Sequence, residues 1–213
     1  MDLPRRMIDV SILLGVESLT YPGDPPYRLQ AVATHGDGAG CHLSRIEMSL
    51  HCGTHLDAPL HFIPGGDAIE RFGLSDFLLP ACVADLCGRA VIAAPDLDGL
   101  DVAAGEALLF KTDNSVTGRC RSGRFDEEFV RLTPEAARRC VDLRLRMVGI
   151  DYLSVELSRD RTYPVHRTLL AGGVLILEGL DLAGASAGRH VLSCFPLRIH
   201  GAEASPVRAV LMR

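Results

Sequence analysis

The sequence has no tryptophan, a single lysine, no CxxC cysteine pair and no long apolar run. A membrane-spanning helix needs roughly 18 to 20 consecutive apolar residues, and no segment approaches that length. The net charge of -5 gives no electrostatic reason to expect nucleic acid or an anionic membrane as a partner. The apolar stretch near the N-terminus contains Asp9 and no small-residue cleavage site follows it, which is not the pattern of a signal peptide. We therefore expect a cytoplasmic protein.

The cysteines argue against a disulfide framework. There are seven of them, an odd number, and none is spaced as CxxC. This pattern is typical of free thiols in a reducing compartment. Internal repeats, low-complexity tracts and convincing linkers are also missing from the 213 residues. The chain is long enough to bury a sizeable core, so we predict a single domain over residues 1–213.

Short apolar stretches bounded by glycine and proline turns dominate the chain and predict strands. The predicted strands are 8–14, 28–34, 43–50, 81–86, 107–112, 147–150, 174–178, 191–199 and 207–212. One helix is clear, because Thr133 is a good N-cap, Pro134 suits the first helical position and an apolar stripe continues to about Arg146. Shorter helical segments are expected after Asp67 and His166. The sequence thus predicts a strand-rich α/β or α+β domain with few helices, whose loops carry the chemistry.

The densest chemical signal is the segment 51–62, which holds three of the eight histidines, His51, His55 and His61, together with Asp57. Neutral imidazole and carboxylate are ligands that zinc, manganese and iron prefer. In an extended segment His55 and Asp57 point to the same face, and His51 and His61 share a face on the continuation of that strand. The alternative is a histidine-rich polar surface loop. Apolar residues on both sides of the segment disfavour that alternative, so we predict a metal site.

A second group of candidate ligands lies much further along the chain. His166 opens a helix-like stretch, and Glu178 ends the apolar strand 174–178. A glutamate in that position is awkward to bury unless it is paired or bound to a metal. The alternative is a strand end that emerges into solvent. Cys52 is a further candidate ligand, but we favour a small buried neighbour of the site, because imidazole and carboxylate already supply enough ligands.

Together these residues resemble the signature of the cyclase/metal-dependent hydrolase family, which includes bacterial kynurenine formamidase (arylformamidase) and isatin hydrolase. The segment 51–62 is similar to the family's HxGTHxDxPxHF motif, and the resemblance extends to 22–24, to 204–211 and to His166 with Glu178. It implies an α/β fold of the swivelling β/β/α type and a homodimer or higher homo-oligomer. It also implies two divalent metal ions, zinc ahead of manganese. The implied ligands are His51, His55 and Asp57 for one ion, and Asp57, Glu178 and His166 for the other, with both carboxylates bridging.

This implied ligand set makes chemical sense for hydrolysis. Two bridging carboxylates partly neutralise two divalent cations and hold them close enough to share a water molecule. Such a water has a lowered pKa and attacks a carbonyl carbon near neutral pH. His61 is the family's acid/base by the same resemblance, and it can protonate the leaving nitrogen because it carries no ligand duty.

The residues constrain the substrate less tightly than the metal chemistry. Formamidases of the family tend to carry tryptophan where this chain has Tyr21, a smaller ring that can still stack on an aryl group. Our leading hypothesis is an arylformamidase that cleaves N-formylkynurenine, a small aryl amide, to kynurenine and formate. The second is the same machinery acting on another small amide, lactam or cyclic substrate, as isatin hydrolase does. The third is a non-enzymatic metal-binding or structural protein, which the presence of His61 disfavours.

Overall fold

The computed structural model describes residues 6–38, 40–157, 159 and 161–213. Within them lie eleven strands and three α-helices. The strands are β1 Met7–Asp9, β2 Arg28–Ala33, β3 Leu43–Glu47, β4 His55–Asp57, β5 Leu78–Asp85, β6 Ala107–Lys111, β7 Met147–Ile150, β8 Leu175–Glu178, β9 Gly188–Ser193, β10 Ala204–Pro206 and β11 Val210–Met212. The helices are α1 Asp113–Val116, α2 Pro134–Asp142 and α3 Pro164–Ala171.

Nine of the strands form one mixed sheet in the order β1-β11-β9-β5-β6-β7-β8-β4-β10. Strands β5 to β8 are parallel and form its centre, and antiparallel pairs extend it on both sides. Alternate residues of the central strands face two separate cores, so that Leu109 packs in one and Leu108 in the other. Helices α2 and α3 cover the second core, to which they contribute Cys140 and Leu169. The predicted single-domain, strand-rich α/β fold with few helices is confirmed.

The helix predicted at Thr133 is confirmed but is shorter than expected. The Thr133 hydroxyl accepts a backbone hydrogen bond of 3.2 Å, as an N-cap does. The helix ends at Asp142 and does not reach Arg146. Arg144 adopts the left-handed conformation, with φ of 54°, which ends helical hydrogen bonding and turns the chain towards β7. Leu145, the last residue of the predicted stripe, is buried beyond the end of the helix.

Each predicted strand segment overlaps an observed strand, and most observed strands are shorter than predicted. Strand β10 is absent from the prediction, because Ala204–Pro206 has neither the length nor the apolar alternation of a strand. The segment after Asp67 forms only a 3-10 turn, Ile69–Arg71, and α3 begins at Pro164, before His166.

Three further observations complete the description of the domain. Strands β2 and β3 form a separate two-stranded sheet whose residues are mostly exposed. Within the described residues no helix combines the length and hydrophobicity needed to cross a bilayer. All seven cysteines are free, and five of them are buried.

Candidate active site

The register between β4 and β8 brings the two halves of the site together. His55 lies directly opposite Glu178, and Asp57 lies opposite Ile176. Opposed residues of an antiparallel pair have Cβ atoms about 4.5–5.5 Å apart, and residues two apart on one strand share a face. His55, Asp57 and Glu178 therefore meet on one surface of the sheet, although they are far apart in sequence. All three are buried.

His51 and His61 reach the same point by a different route from the one predicted. The extended segment covers only His55–Asp57, so the two outer histidines do not lie on a continuation of that strand. His51 lies in the turn before β4, and His61 ends the 3-10 turn Pro59–His61. Both rings nevertheless face the carboxylate of Asp57. His51 Nδ1 is 2.9 Å from Asp57 Oδ1, and His61 Nε2 is 4.0 Å from Asp57 Oδ2.

The first turn of α3 supplies His166, which is buried against both carboxylates. Its Nε2 lies 3.4 Å from Glu178 Oε1 and 3.9 Å from Asp57 Oδ2. The other oxygen of each carboxylate lies near His55, with Nε2 at 3.5 Å from Asp57 Oδ1 and 3.3 Å from Glu178 Oε2. Asp57 and Glu178 thus each present one oxygen to His55 and the other to His166.

Two overlapping groups of side chains can hold a metal ion. One is His51, His55 and Asp57, and the other is Asp57, His166 and Glu178, with ligand atoms within 4.8 Å of one another in each group. Both oxygens of Asp57 and Nε2 of His55 are buried without a hydrogen-bond partner, which is costly unless a cation satisfies them. Ligands about 2.0–2.1 Å from a tetrahedral ion lie roughly 3.3 Å apart. The donor set and spacing therefore fit divalent metal ions, and Asp57 belongs to both groups.

The raised pKa values of two histidines show that the site is strongly negative. Burial alone would lower the pKa of His51, but the charge of Asp57 outweighs it and raises that pKa to about 10. Burial would also lower the pKa of His166, but hydrogen bonds with Glu156 and Glu178 outweigh that effect and raise the pKa to about 10. In the metal-free protein both rings therefore hold protons. Bound divalent cations would displace these protons and neutralise the carboxylates instead.

His61 behaves in the opposite way. Burial lowers its pKa to about 4, and the neighbouring histidines add to the effect although Asp57 opposes it. Its ring centroid lies 4.1 Å from those of His51, in a tilted contact, and Phe62, in an edge-on contact. Within the described residues, neither metal-binding group includes it. His61 is thus a neutral imidazole, held by ring contacts beside Asp57.

A cavity of about 420 Å³ opens above these groups. Tyr21, Phe62 and Tyr163 supply its aromatic walls, while Asp24 and Glu203 add carboxylates. Tyr21 is half-buried and lies edge-on to Phe125, with ring centroids 5.1 Å apart. Each predicted site residue is therefore at this cavity or directly beneath it.

Comparison with known proteins identifies the family of the chain. The model of a family described as "Putative cyclase" matches residues 8–157. The chain belongs to this Cyclase family. A kynurenine formamidase of Salinibacter ruber is 34% identical over 207 residues, which cover 96% of each chain.

Solved structures of similar proteins share the fold over nearly the whole Cyclase-family chain. One, called a "potential metal-dependent hydrolase with cyclase activity", is 34% identical with a TM-score of 0.83, and covers 97% of this chain and 96% of its own. Isatin hydrolase A from Labrenzia aggregata, bound to benzyl benzoate, has a TM-score of 0.81 at 22% identity, covering 97% and 93%. At that identity the likeness concerns the fold alone.

Two glutamates that the sequence analysis missed touch the histidines of this Cyclase-family site. Glu156 Oε1 accepts a hydrogen bond of 2.7 Å from His166 Nδ1, and Glu203 Oε1 lies 3.5 Å from His51 Nε2. Glu156 is buried between two apolar neighbours, so the signal that singled out Glu178 applies to it as well. Glu203 is partly exposed in a polar turn, and its sequence context carries no comparable signal.

Neither Cys52, the further candidate ligand, nor Lys111, the single lysine, is among the described residues that line the cavity. Cys52 is buried beside Ser18, and neither metal-binding group within the described residues contains it, in line with the favoured prediction. Lys111 Nζ donates to the carbonyls of Ala183 and Ala185, at 3.3 and 2.8 Å. Thr112 donates to a buried aspartate, Asp151, from its backbone and its hydroxyl. This segment stabilises the fold away from the cavity.

Proposed function

We propose that the chain is a metal-dependent amide hydrolase of the arylformamidase type, which cleaves N-formylkynurenine to kynurenine and formate. The observation that carries the proposal is the pair of buried carboxylates, Asp57 and Glu178, which each face His55 and His166, with both oxygens of Asp57 lacking a hydrogen-bond partner. The kynurenine formamidase of Salinibacter ruber, 34% identical over 96% of the chain, supports the same activity.

The ligand roles follow from which atoms face each other. His51 and His55 would hold one ion with Asp57 Oδ1, and His166 would hold the other with Asp57 Oδ2 and Glu178 Oε1. Two divalent ions bound in this way would supply an activated water molecule and polarise the substrate carbonyl. Three imidazoles and two carboxylates favour zinc ahead of manganese.

His61 carries the proton transfers in this proposal. It is neutral near pH 7 because its pKa is held at about 4, so it can accept a proton on the ring as the water attacks. The protonated ring then has two carboxylates close by, and Asp57 Oδ2 at 4.0 Å stabilises the charge until the proton passes to the leaving nitrogen. The leaving group departs as a neutral aniline, which avoids an amide anion.

The aromatic walls fit an aryl substrate. The half-buried ring of Tyr21 leaves one part free for the cavity, and Phe62 and Tyr163 pack together at 4.8 Å on another wall. Aromatic contacts favour a planar aryl amide over an aliphatic one. We further propose that the enzyme works in a reducing cytoplasm, which its seven free thiols suit, and that it forms a homodimer or higher homo-oligomer.

A metal-reconstituted assay tests the proposed activity. Purified protein, loaded in turn with zinc and with manganese, is given N-formylkynurenine, formanilide, isatin and an aliphatic formamide of similar length. We expect the aryl formamides to be hydrolysed fastest. Faster opening of the isatin lactam would replace the formamidase assignment by the lactam-hydrolase alternative. Absence of turnover with every amide and lactam would indicate a non-enzymatic metal-binding protein.

A further inference from the structure

The cavity lining carries carboxylates, and the only basic side chains among its described residues are His51, His61 and His166. Its lining includes Asp24 and Glu203 at the sides and Glu178 at the base, while no described lining residue is an arginine or a lysine. The arginine that stacks on the cavity residue Phe62, Arg167, has its guanidinium carbon 5.7 Å from that ring centre. Its Nε and Nη1 already donate to backbone carbonyls at 3.0 Å. A substrate carboxylate therefore meets no arginine or lysine among the described lining residues.

Asp24 is held at the cavity by a tight turn. Its backbone N–H donates to the carbonyl of Tyr21 at 3.0 Å, and Gly23 has φ of 100°, which only glycine adopts readily. The turn sets the Asp24 carboxylate and the Tyr21 ring on the same wall. Ser49 Oγ lies 3.4 Å from Asp24 Oδ2, and no ion pair within the described residues engages this carboxylate. Asp24 therefore retains acceptor capacity towards the cavity.

Bound metal does not reverse the sign of the site. Five carboxylates gather here, namely Asp24, Asp57, Glu156, Glu178 and Glu203, and they outnumber the four positive charges of two divalent ions. The same negative charges affect the pKa of the Tyr21 hydroxyl. Burial raises its pKa, and the charges of Tyr163, Glu156, Glu178 and Asp24 add to the rise.

We propose that the cavity selects aryl formamides that carry an ammonium group, and that Asp24 accepts the hydrogen bond of that ammonium. The inference rests on the proposed arylformamidase function and specifies its substrate class. The α-ammonium of N-formylkynurenine meets this requirement, and its carboxylate lies towards solvent. The faces of Tyr21 and Tyr163 add a cation–π attraction for the same group.

Three matched substrates test the inference: N-formylkynurenine, its decarboxylated analogue with the amine alone, and its deaminated analogue with the carboxylate alone. For the metal-loaded enzyme, kcat/KM is expected to be at least about tenfold higher for the two ammonium compounds than for the acid. A charge-assisted hydrogen bond contributes enough binding energy for a ratio of this size. Asp24→Asn abolishes that preference, and Asp24→Lys inverts it. Asp142→Asn, the same substitution at an exposed helix end, is the control and leaves the preference unchanged.

A binding measurement separates this inference from the proposed activity. Calorimetry with the metal-loaded His61→Ala variant gives dissociation constants for the three compounds without turnover. Hydrolysis of all three at equal efficiency, or a preference for the acid, overturns ammonium selection and leaves the formamidase assignment standing. Binding that favours the amine and depends on Asp24, without hydrolysis by the wild type, upholds the selection and removes the formamidase assignment. If the protein shows neither hydrolysis nor preferential binding, both the ammonium selection and the formamidase assignment are overturned.

Discussion

Glu156 holds His166 by a hydrogen bond of 2.7 Å from Nδ1 to Oε1. The same carboxylate accepts the backbone N–H groups of His166 at 2.8 Å and Val165 at 3.2 Å. These are free N–H groups of the first turn of α3, and Tyr163 at the N-cap gives them no side-chain hydrogen bond. One buried side chain thus caps a helix and fixes the His166 tautomer, so that Nε2 is left to face the metal-binding carboxylates.

Replacement of Glu156 tests both of its roles. Glu156→Gln keeps the shape but loses the charge, so metal affinity is expected to fall about 10–100-fold, as measured by competition with a chromophoric chelator. Glu156→Ala also leaves two buried N–H groups unpaired, which costs about 1–3 kcal/mol of unfolding free energy in urea titrations. Glu128→Gln, on an exposed side chain, is the matched control. Wild-type metal affinity in Glu156→Gln would show that the hydrogen bond to His166 does not tune the site.

Two alanine variants test whether His61 transfers protons while Asp57 binds metal. His61→Ala is expected to keep its metal and to lose about 10²–10⁴ in kcat, since only a proton-transfer group is removed. Asp57→Ala is expected to lose both metal and activity, because its two oxygens face both ligand groups. Elemental analysis beside kinetics makes the comparison. If His61→Ala loses metal as completely as Asp57→Ala, His61 is a ligand.

Metal removal is expected to destabilise the protein. Without a cation the buried carboxylates repel one another and the oxygens of Asp57 have no hydrogen-bond partner. A ligand whose free concentration is about 100 times its dissociation constant adds about 2.7 kcal/mol to the free energy of unfolding. In a chain of this size that corresponds to a rise in Tm of about 5–10 °C. Differential scanning calorimetry with chelator and with graded zinc checks this, and Asp57→Ala is expected to show no metal-dependent shift.

Substitutions at Tyr21 probe the aryl contact. Tyr21→Phe keeps the ring face and should be mild, whereas Tyr21→Ala removes both the stacking and the buried area. Aromatic contacts beyond area burial are worth roughly 0.5–1.5 kcal/mol, so with the lost burial KM for N-formylkynurenine should rise about tenfold. The preference for this substrate over a non-aromatic formamide should collapse in parallel. An unchanged KM in Tyr21→Ala would remove Tyr21 from the substrate site.

Gly179 is expected to be intolerant of any side chain. It follows Glu178 with φ of 70°, and a Cβ there would overlap the carbonyl oxygen of Gly53. That same carbonyl lies 2.9 Å from His55 Nδ1 and orients the ring. Gly179→Ala should therefore lose several kcal/mol of stability, by overpacking and backbone strain, and weaken metal binding. Gly173→Ala, at φ of 76° in open space, is the control and should cost only about 1–2 kcal/mol. Equal unfolding midpoints in urea for the two variants would contradict this account.

The local elements and the ligand candidates were largely readable from the sequence. The short apolar stretches predicted nine of the observed strands, and Thr133 with Pro134 marked the start of α2. The cluster at 51–62 marked a metal site, because imidazole and carboxylate at that density have a specific chemistry. Boundaries were less accurate, since packing and single residues such as Arg144 decide where an element ends.

Only the tertiary structure decided how these residues meet. Sequence spacing placed His51 and His61 on a strand, whereas two turns bring their rings to Asp57. The pairing of His55 with Glu178 depends on strand register, which long-range packing sets and no local pattern records. Glu203 became recognisable only by its contact with His51. A sequence fixes which side chains are available, but the electrostatic field at the site is a sum over distances, and distances exist only in the folded chain.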